Sequence, residues 1–194
     1  MNNEIEATYI NIDKDDYRKK LEAAGAECIK PERLMRRTVF DTGPSSFARV
    51  RDEGGKIVMT YKNFEDDDSI MGVKEVNLTV DSYDEAVKYL IGCGLEQKAV
   101  QETYRETWVL DGVEITIDTW PWIPTYTEIE GKSEDAVWSV AGRLGFKKED
   151  AMFGAVDKIY NHYYGVDMDV VNYETPVINF EIDPPDWAKV KRAQ

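Results

Sequence analysis

The chain has 194 residues, 42% of them hydrophobic and 11% aromatic, which suits one domain or two very small ones with a real core, and favours a β-rich fold. Asp and Glu number 38 against 24 Lys and Arg, a formal charge of −14 that repels nucleic acid and anionic membranes at long range. A single histidine (His162) and two cysteines (Cys28 and Cys93) exclude multi-histidine metal centres, most histidine-based triads and a disulfide framework. No glycine-rich phosphate loop is present, so any phosphate chemistry has to use side chains. No apolar run reaches bilayer length, and MNNEIEA lacks the basic and apolar parts of a signal peptide; the expected location is cytoplasmic, without nucleic-acid or membrane partners.

In chain order, residues 2–10 alternate as a strand, with Glu4 and Glu6 on one face and Ile5 on the other. Residues 13–24 read as a helix capped by Asp13 and ended by Gly25. Strands follow near 34–41, 47–51 and 56–62, the last two joined by the turn DEGG. An acidic loop, EDDDS, leads to a strand at 73–80. Ser82 with Glu85 is a capping box that opens a second helix, closed by Gly92 and Gly94, where Cys93 is expected to pack. Long strands at 100–110 and 113–119 flank Asp111-Gly112, a two-residue hairpin signal. A strand at 125–130 carries a second pair of glutamates, Glu128 and Glu130. Helices at 133–145 and 153–164 complete the pattern, with His162 as a structural or surface residue in the second. The tail TPVINF…DPPDW adds an edge strand or packs on the surface. The two halves share a helix ending LxxxG (LEAAG, LIGCG), a following Glu and arginine-bearing strands, which suggests a duplicated unit and one antiparallel barrel flanked by helices.

Nearly every strand has one charged face. Arg49 and Arg51 flank Val50; Thr60 and Lys62 oppose Met59 and Tyr61; Glu75 alternates with Val76; Arg105 opposes Tyr104; and Glu114, Thr116 and Asp118 alternate with Ile115 and Ile117. Such faces commonly meet water. In a closed barrel they would line a polar bore instead, which is costly unless the charges neutralise each other or a ligand. Here the signs are complementary: Glu4, Glu6, Asp118, Glu128 and Glu130 against Arg49, Arg51, Lys62 and Arg105. A metal polyphosphate would satisfy both sets.

In order and spacing these motifs resemble the CYTH superfamily, the triphosphate tunnel metalloenzymes, from Glu4 to about Tyr164. The family's ExExK appears as EIEAT, its YFDTP-like segment as VFDTG at 39–43, and its R-x-R strand as ARVR with Arg49 and Arg51. TYK with Lys62, VKEVN with Glu75, TYR with Arg105, TIDTW with Asp118 and TEIEG with Glu128 and Glu130 follow in the family's order, and Lys158 in VDKIY completes the set. The resemblance implies an α+β, mostly β fold: an eight-stranded antiparallel closed tunnel flanked by helices, spanning 1–166, with 167–194 as a tail on it. It implies Mg²⁺ or Mn²⁺ on Glu4, Glu6, Asp118, Glu128 and Glu130. It also implies a triphosphate small molecule held by Arg49, Arg51, Lys62, Glu75, Arg105 and Lys158. Glu4, Glu6, Arg49, Arg51, Lys62 and Arg105 would carry catalysis, in a monomer or homodimer.

Three positions depart from the family pattern. Thr8 stands at the ExExK lysine, Val73 at an often basic position for which Lys74 could substitute, and Thr103 at the lysine of K-x-R; Arg36 and Arg37 are candidates to compensate. Two lost cations imply weakened catalysis, which Thr8→Lys would restore about tenfold. The activity implied is metal-dependent hydrolysis of a triphosphate. The alternative is a class IV-type adenylyl cyclase, disfavoured because no His-Phe precedes EIEAT. A third reading is a tunnel that binds a phosphorylated ligand without turnover.

Overall fold

Strands that are charged on one face and apolar on the other can bury both faces only by curling. In the computed structural model, which describes residues 1–66 and 68–191, they do so. The N-terminal segment is split at Ile5 into β1 (Asn2–Glu4) and β2 (Glu6–Tyr9). β1 pairs with β6 (Val73–Val80), and β2 pairs with β9 (Tyr126–Glu130). Between them run β5 (Ile57–Phe64), β4 (Ser46–Asp52), β3 (Glu27–Asp41), β7 (Glu96–Leu110) and β8 (Val113–Thr119). The resulting order is β1-β6-β5-β4-β3-β7-β8-β9-β2, every neighbouring pair antiparallel. This is a nearly closed barrel of nine strands, where the sequence predicts eight, because the N-terminal strand is broken. Past the break, Met152 takes the other edge of β2 and exchanges backbone bonds of 3.0 and 2.9 Å with Thr8. Asp111 and Gly112 turn the β7–β8 hairpin with φ of 52° and 79°, the two positive angles that a type I′ turn demands.

Helices cover the apolar faces. In α1 (Lys14–Ala24), Asp13 caps by accepting from the Asp16 amide at 2.9 Å, and Gly25 ends the helix at φ 83°. Its Tyr17 and Leu21, with Val137, Val140 and Ala141 of α3 (Glu134–Arg143), seal Ala7, Ile115, Ile117 and Ile129 on the outside of β2, β8 and β9. Through Ala86 and Leu90, α2 (Tyr83–Gly92) covers Phe40, Ala48 and Val50 of β3 and β4. A third cluster joins Trp120 and Tyr126 to Ile159, Tyr160 and Tyr163 of α4 (Val156–Tyr164). The polar strand faces are thereby left to the bore. On β6 the outward Val76 and Leu78 stay 40% and 53% exposed.

Three local expectations are corrected. β3 begins at Glu27 and not near 34, because its first residues pair only with β7; pairing with β4 starts at Arg36, so Pro31 sits on a free edge where a missing N–H is tolerated. Cys93 is exposed. The tail is more than an edge strand: it contains α5 (Met168–Tyr173), six residues too short to show a helical period, then β10 (Val177–Ile178) parallel to Val100 and Gln101 of β7. Trp187 locks the tail down edge-on against Trp122, Tyr160 and Tyr164, with ring centres 5.9, 5.7 and 5.8 Å away. Among the described residues no helix is long and apolar enough to cross a membrane.

Leu21 is fully buried where α1 meets the barrel. Leu21→Ala is expected to lower unfolding free energy by about 2–5 kcal/mol, read from the urea midpoint at constant m-value. A loss under about 1 kcal/mol would show that α1 adds little to the core.

Candidate active site

The bore encloses a cavity of about 850 Å³. Cationic side chains enter from three adjacent strands: Arg49 and Arg51 on β4, Arg37 on β3 and Arg105 on β7. The strand order puts these across from the N-terminal segment and β9, which contribute Glu4, Glu6, Glu128 and Glu130; Glu75 and Glu114 flank them on β6 and β8. A basic arc therefore faces an acidic one.

Glu4, Glu6 and Glu130 can each offer an oxygen such that all three lie within 4.8 Å of one another. They meet because β2 pairs Glu6 directly with Glu130. Lys62 donates to both oxygens of Glu4, at 2.6 and 2.5 Å, and lies 3.9 Å from Glu75. One ammonium does not neutralise the group. Burial, then the charges of Glu4 and Glu128, push the Glu6 carboxyl well above the usual range. Burial, then Glu4, Glu114 and Glu75, push Glu130 up to about 7. Crowded carboxylates that resist ionisation beside one another suit a hard divalent cation, so these residues fit Mg²⁺ or Mn²⁺.

Asp118 and Glu128, expected among the metal ligands, are otherwise engaged. Opposite Asp118 in the β7–β8 register is Arg105, whose Nε donates to Asp118 Oδ1 at 2.7 Å and whose Nη2 donates to Glu128 Oε2 at 2.6 Å. Thr116 Oγ1 fills the other oxygen of Asp118 at 2.6 Å, and Asp118 is fully buried. Burial raises the Glu128 carboxyl, but Arg105, Lys62 and Arg49 more than offset this and hold it below the usual range. Both carboxylates aim an arginine.

The other arginines differ in how well they are matched. Arg51 clamps Glu53 Oε1 through Nη2 and Nε, at 2.5 and 3.0 Å. Arg37 donates from Nε to Gln101 Oε1 at 2.8 Å and lies 4.2 Å over the Trp120 ring; burial pushes it down to about 10, so it stays cationic at neutral pH. Arg49 is 8% exposed, and its buried Nε has no hydrogen-bond partner among the described residues. Burial, then Arg51 and Arg37, push it well below the ordinary arginine value. A buried cationic donor without a partner, facing a cavity, is matched by an anion.

The remaining candidates separate by strand parity. Glu75 lines the cavity and accepts from Asn77 Nδ2 at 2.6 Å. Lys74, one residue away, points outward to Glu65 at 2.7 Å and cannot replace a cation at Val73, which lines the bore. Arg36 is likewise outside, 5.5 Å over Tyr83, so of the two compensating candidates only Arg37 is inside. Lys158 enters from α4, donating to Asp68 at 2.7 Å. It shares a void of about 10 Å³ with the buried Thr8 and with Glu128. Thr8, at the position of the motif lysine, therefore has the Lys158 side chain beside it. Gln101, Trp120 and Tyr126 also line the bore. Their parity with Thr103, Asp118 and Glu128 marks them in the sequence, and only their lack of charge hid them.

Residues 4–159 match the model of the CYTH domain. The chain belongs to the CYTH domain family. That family includes triphosphatases and class IV adenylyl cyclases, and its members are typically enzymes and generally depend on a divalent metal. Among solved structures, the PH1012 protein of Pyrococcus horikoshii OT3 is 24% identical with a TM-score of 0.67, over 76% of this chain and 93% of that one. A proposed adenylate cyclase from Vibrio parahaemolyticus is 14% identical with a TM-score of 0.68, over 81% and 97%. A proposed adenylyl cyclase from Hippeastrum, described as revealing a dominant triphosphatase activity, is 15% identical with a TM-score of 0.54, over 81% and 94%. At these identities the likeness shows the CYTH fold. Among curated proteins none matches the chain in sequence.

Because Glu130 titrates at about 7 in the fold and at 4.5 when unperturbed, its ionisation opposes folding. The cost is absent below about pH 4.5, grows towards pH 7 and is complete above it. In chelator at pH 8, Glu130→Gln is expected to stabilise the protein by about 1–3 kcal/mol, allowing for partial solvent screening, and the gain should vanish near pH 4.5. Thermal unfolding at the two pH values measures it; a gain that does not change with pH rules out this cause.

Proposed function

We propose that this CYTH domain is a divalent-metal-dependent hydrolase of triphosphates. The observation that carries the reading is Arg49, a buried guanidinium with an unpartnered Nε, set in a basic arc opposite Glu4, Glu6 and Glu130 in one bore. Those three carboxylates would hold Mg²⁺ or Mn²⁺, which when bound supplies charge neutralisation at phosphate oxygens and acidifies water.

The chain's own residues do the positioning. Arg49 gains its missing acceptor from a phosphate oxygen. Arg51 can turn its planar fork from Glu53 to phosphate, a bidentate partner of matching geometry. Arg105 needs no reorientation, since Asp118 and Glu128 hold it in place before substrate arrives. Lys62 orients Glu4 within the carboxylate cluster. Lys158 provides from α4 a cation beside the position where the family's motif has its lysine. Because Arg105 is buried and fixed in advance, it stabilises charge developing on the transferred phosphoryl group without reorienting.

A substrate panel of tripolyphosphate, ATP and thiamine triphosphate with Mg²⁺ or Mn²⁺, products resolved, tests the proposal. Orthophosphate release is expected. Cyclic AMP with pyrophosphate would identify a cyclase instead, and binding without turnover a non-catalytic tunnel.

Glu4→Gln and Glu6→Gln should each reduce kcat/KM by about two orders of magnitude or more, as loss of a metal ligand commonly does. Arg49→Ala should cost about 1.5–3 kcal/mol of transition-state stabilisation, the range for hydrogen bonds to charged groups. Full turnover in excess chelator, or unchanged kinetics in Arg49→Ala, counts against the assignment.

A further inference from the structure

The barrel wall is incomplete along β6. β1 pairs only with Val73, Lys74 and Glu75. Residues 76–80 are bonded to residues 57–61 of β5 on one side, and among the described residues no strand lies on the other. Val76, Asn77, Leu78 and Thr79 are exposed, although Asn77 lines the cavity. This stretch, about 17 Å long, therefore presents backbone N–H and C=O groups without a strand partner beside a gap in the wall.

Another free edge of the same sheet is guarded. Residues 27–35 of β3 pair with β7 alone. That edge carries Pro31 among Lys30, Glu32 and Arg33, and its register is interrupted between Cys28 and Lys30 and between Lys30 and Arg33. Proline, charge and irregular pairing each keep another strand from adding to an edge. The β6 edge has none of the three. Its sequence, VNLTV, holds no charge and no proline, its register with β5 is unbroken, and its β-branched residues favour extended backbone. Val76 and Leu78 point outward, opposite Tyr61 and Met59, so an added strand gains apolar contact as well as hydrogen bonds.

We propose that the β6 edge is an interface with a second copy of this chain, in which residues 76–80 of the two copies pair antiparallel about a two-fold axis at Leu78. The segment fits itself. Such pairing sets Val76 against Val80 and Leu78 against Leu78 on the outer face, and Asn77 against Thr79 on the inner one. The chain carries −14, so two copies repel as wholes. An uncharged strand is where they can approach, and salt strengthens the contact by screening the rest. The second copy also extends the wall, because its Asn77 and Thr79 continue the inner face past the point where β1 ends. A ladder this short belongs with weak, transient interfaces.

Sedimentation equilibrium of the full chain, from about 1 to 500 µM, is the test. The expected species is twice the 22.3 kDa of one chain, with a dissociation constant on the order of 10–100 µM that falls as NaCl rises from about 0.05 to 0.5 M. Leu78→Lys and Leu78→Glu each set like charges opposite one another at the axis and should weaken the dimer at least tenfold. Mixed in equal amounts, the two variants should pair again, because Lys then lies opposite Glu. Leu78 is 53% exposed, so both variants should fold, which circular dichroism checks. Hydrogen exchange should show amides of residues 76–80 protected at high concentration and open at low, with no such change in residues 27–35. A chain that stays monomeric at about 500 µM overturns the proposal, whether the edge amides are open or are covered by a segment of the same chain. A dimer that survives both substitutions, or that leaves residues 76–80 unprotected, has its interface elsewhere and overturns it too. So does a mixture of the two variants that associates no better than either alone.

Discussion

Charge enclosed in a barrel has to be answered by charge of the other sign, and the pairing between Arg105 and its two carboxylates shows how this bore meets that demand. Arg105 is bonded at once to Asp118 on β8 and Glu128 on β9, with Thr116 filling Asp118's remaining oxygen. Burial alone would lower the arginine's affinity for its proton, yet the two anions raise it well above the ordinary value. Three strands are thereby joined through the bore at a point where an unpaired ion would cost several kcal/mol. Elsewhere the balance is incomplete: Arg49 Nε has no acceptor among the described residues, and Glu6 and Glu130 resist ionisation. The wall is held by matched charge, and the mismatched charge is left facing the cavity.

The outside of the barrel makes this inside affordable. Ile115, Ile117 and Ile129 alternate with Glu114, Thr116, Asp118, Glu128 and Glu130 on the same strands, so each residue turned outward into the α1 and α3 layer sets the next one inward. A slip of one residue would expose the isoleucines to the bore and drive five polar side chains into a fully apolar cluster. The hydrophobic layer is therefore the reason the polar register is unambiguous, and the site's precision derives from packing that never touches a ligand.

Much of this could be read from residue order. Val73–Val80 and Val113–Thr119 begin and end where alternation puts them, and the Asp-Gly hairpin forms as its dipeptide dictates. Parity also grouped Glu4, Glu6, Glu128, Glu130, Arg49, Arg51 and Arg105 as bore-facing, although it left Arg36 and Arg37 undistinguished. What parity cannot supply is which facing residues touch. Asp118 shares its parity with the other bore-facing residues, and only the register shows that Arg105 lies opposite it. Lys74 has the wrong parity, and the structure puts it outside. The relation of Thr8 to Lys158 joins β2 to a helix far along the chain and has no local signature. α5 left no trace because six residues do not complete two turns.

The break at Ile5 has a consequence for how the molecule is made. Glu4 and Glu6 lie on either side of it: β1 pairs with β6, whereas β2 has its partner in β9, the last strand along the barrel. During synthesis β1 can find β6 before half the chain is made, but β2 has to wait for β9 until most of the domain has followed it. Joining ends so distant is the slow, entropically costly kind of contact, and it completes the structure instead of nucleating it. Since the carboxylate cluster draws on both of those strands, no earlier folding species possesses it. The carboxylate cluster and the completed strand order depend on the same pairing of β2 with β9.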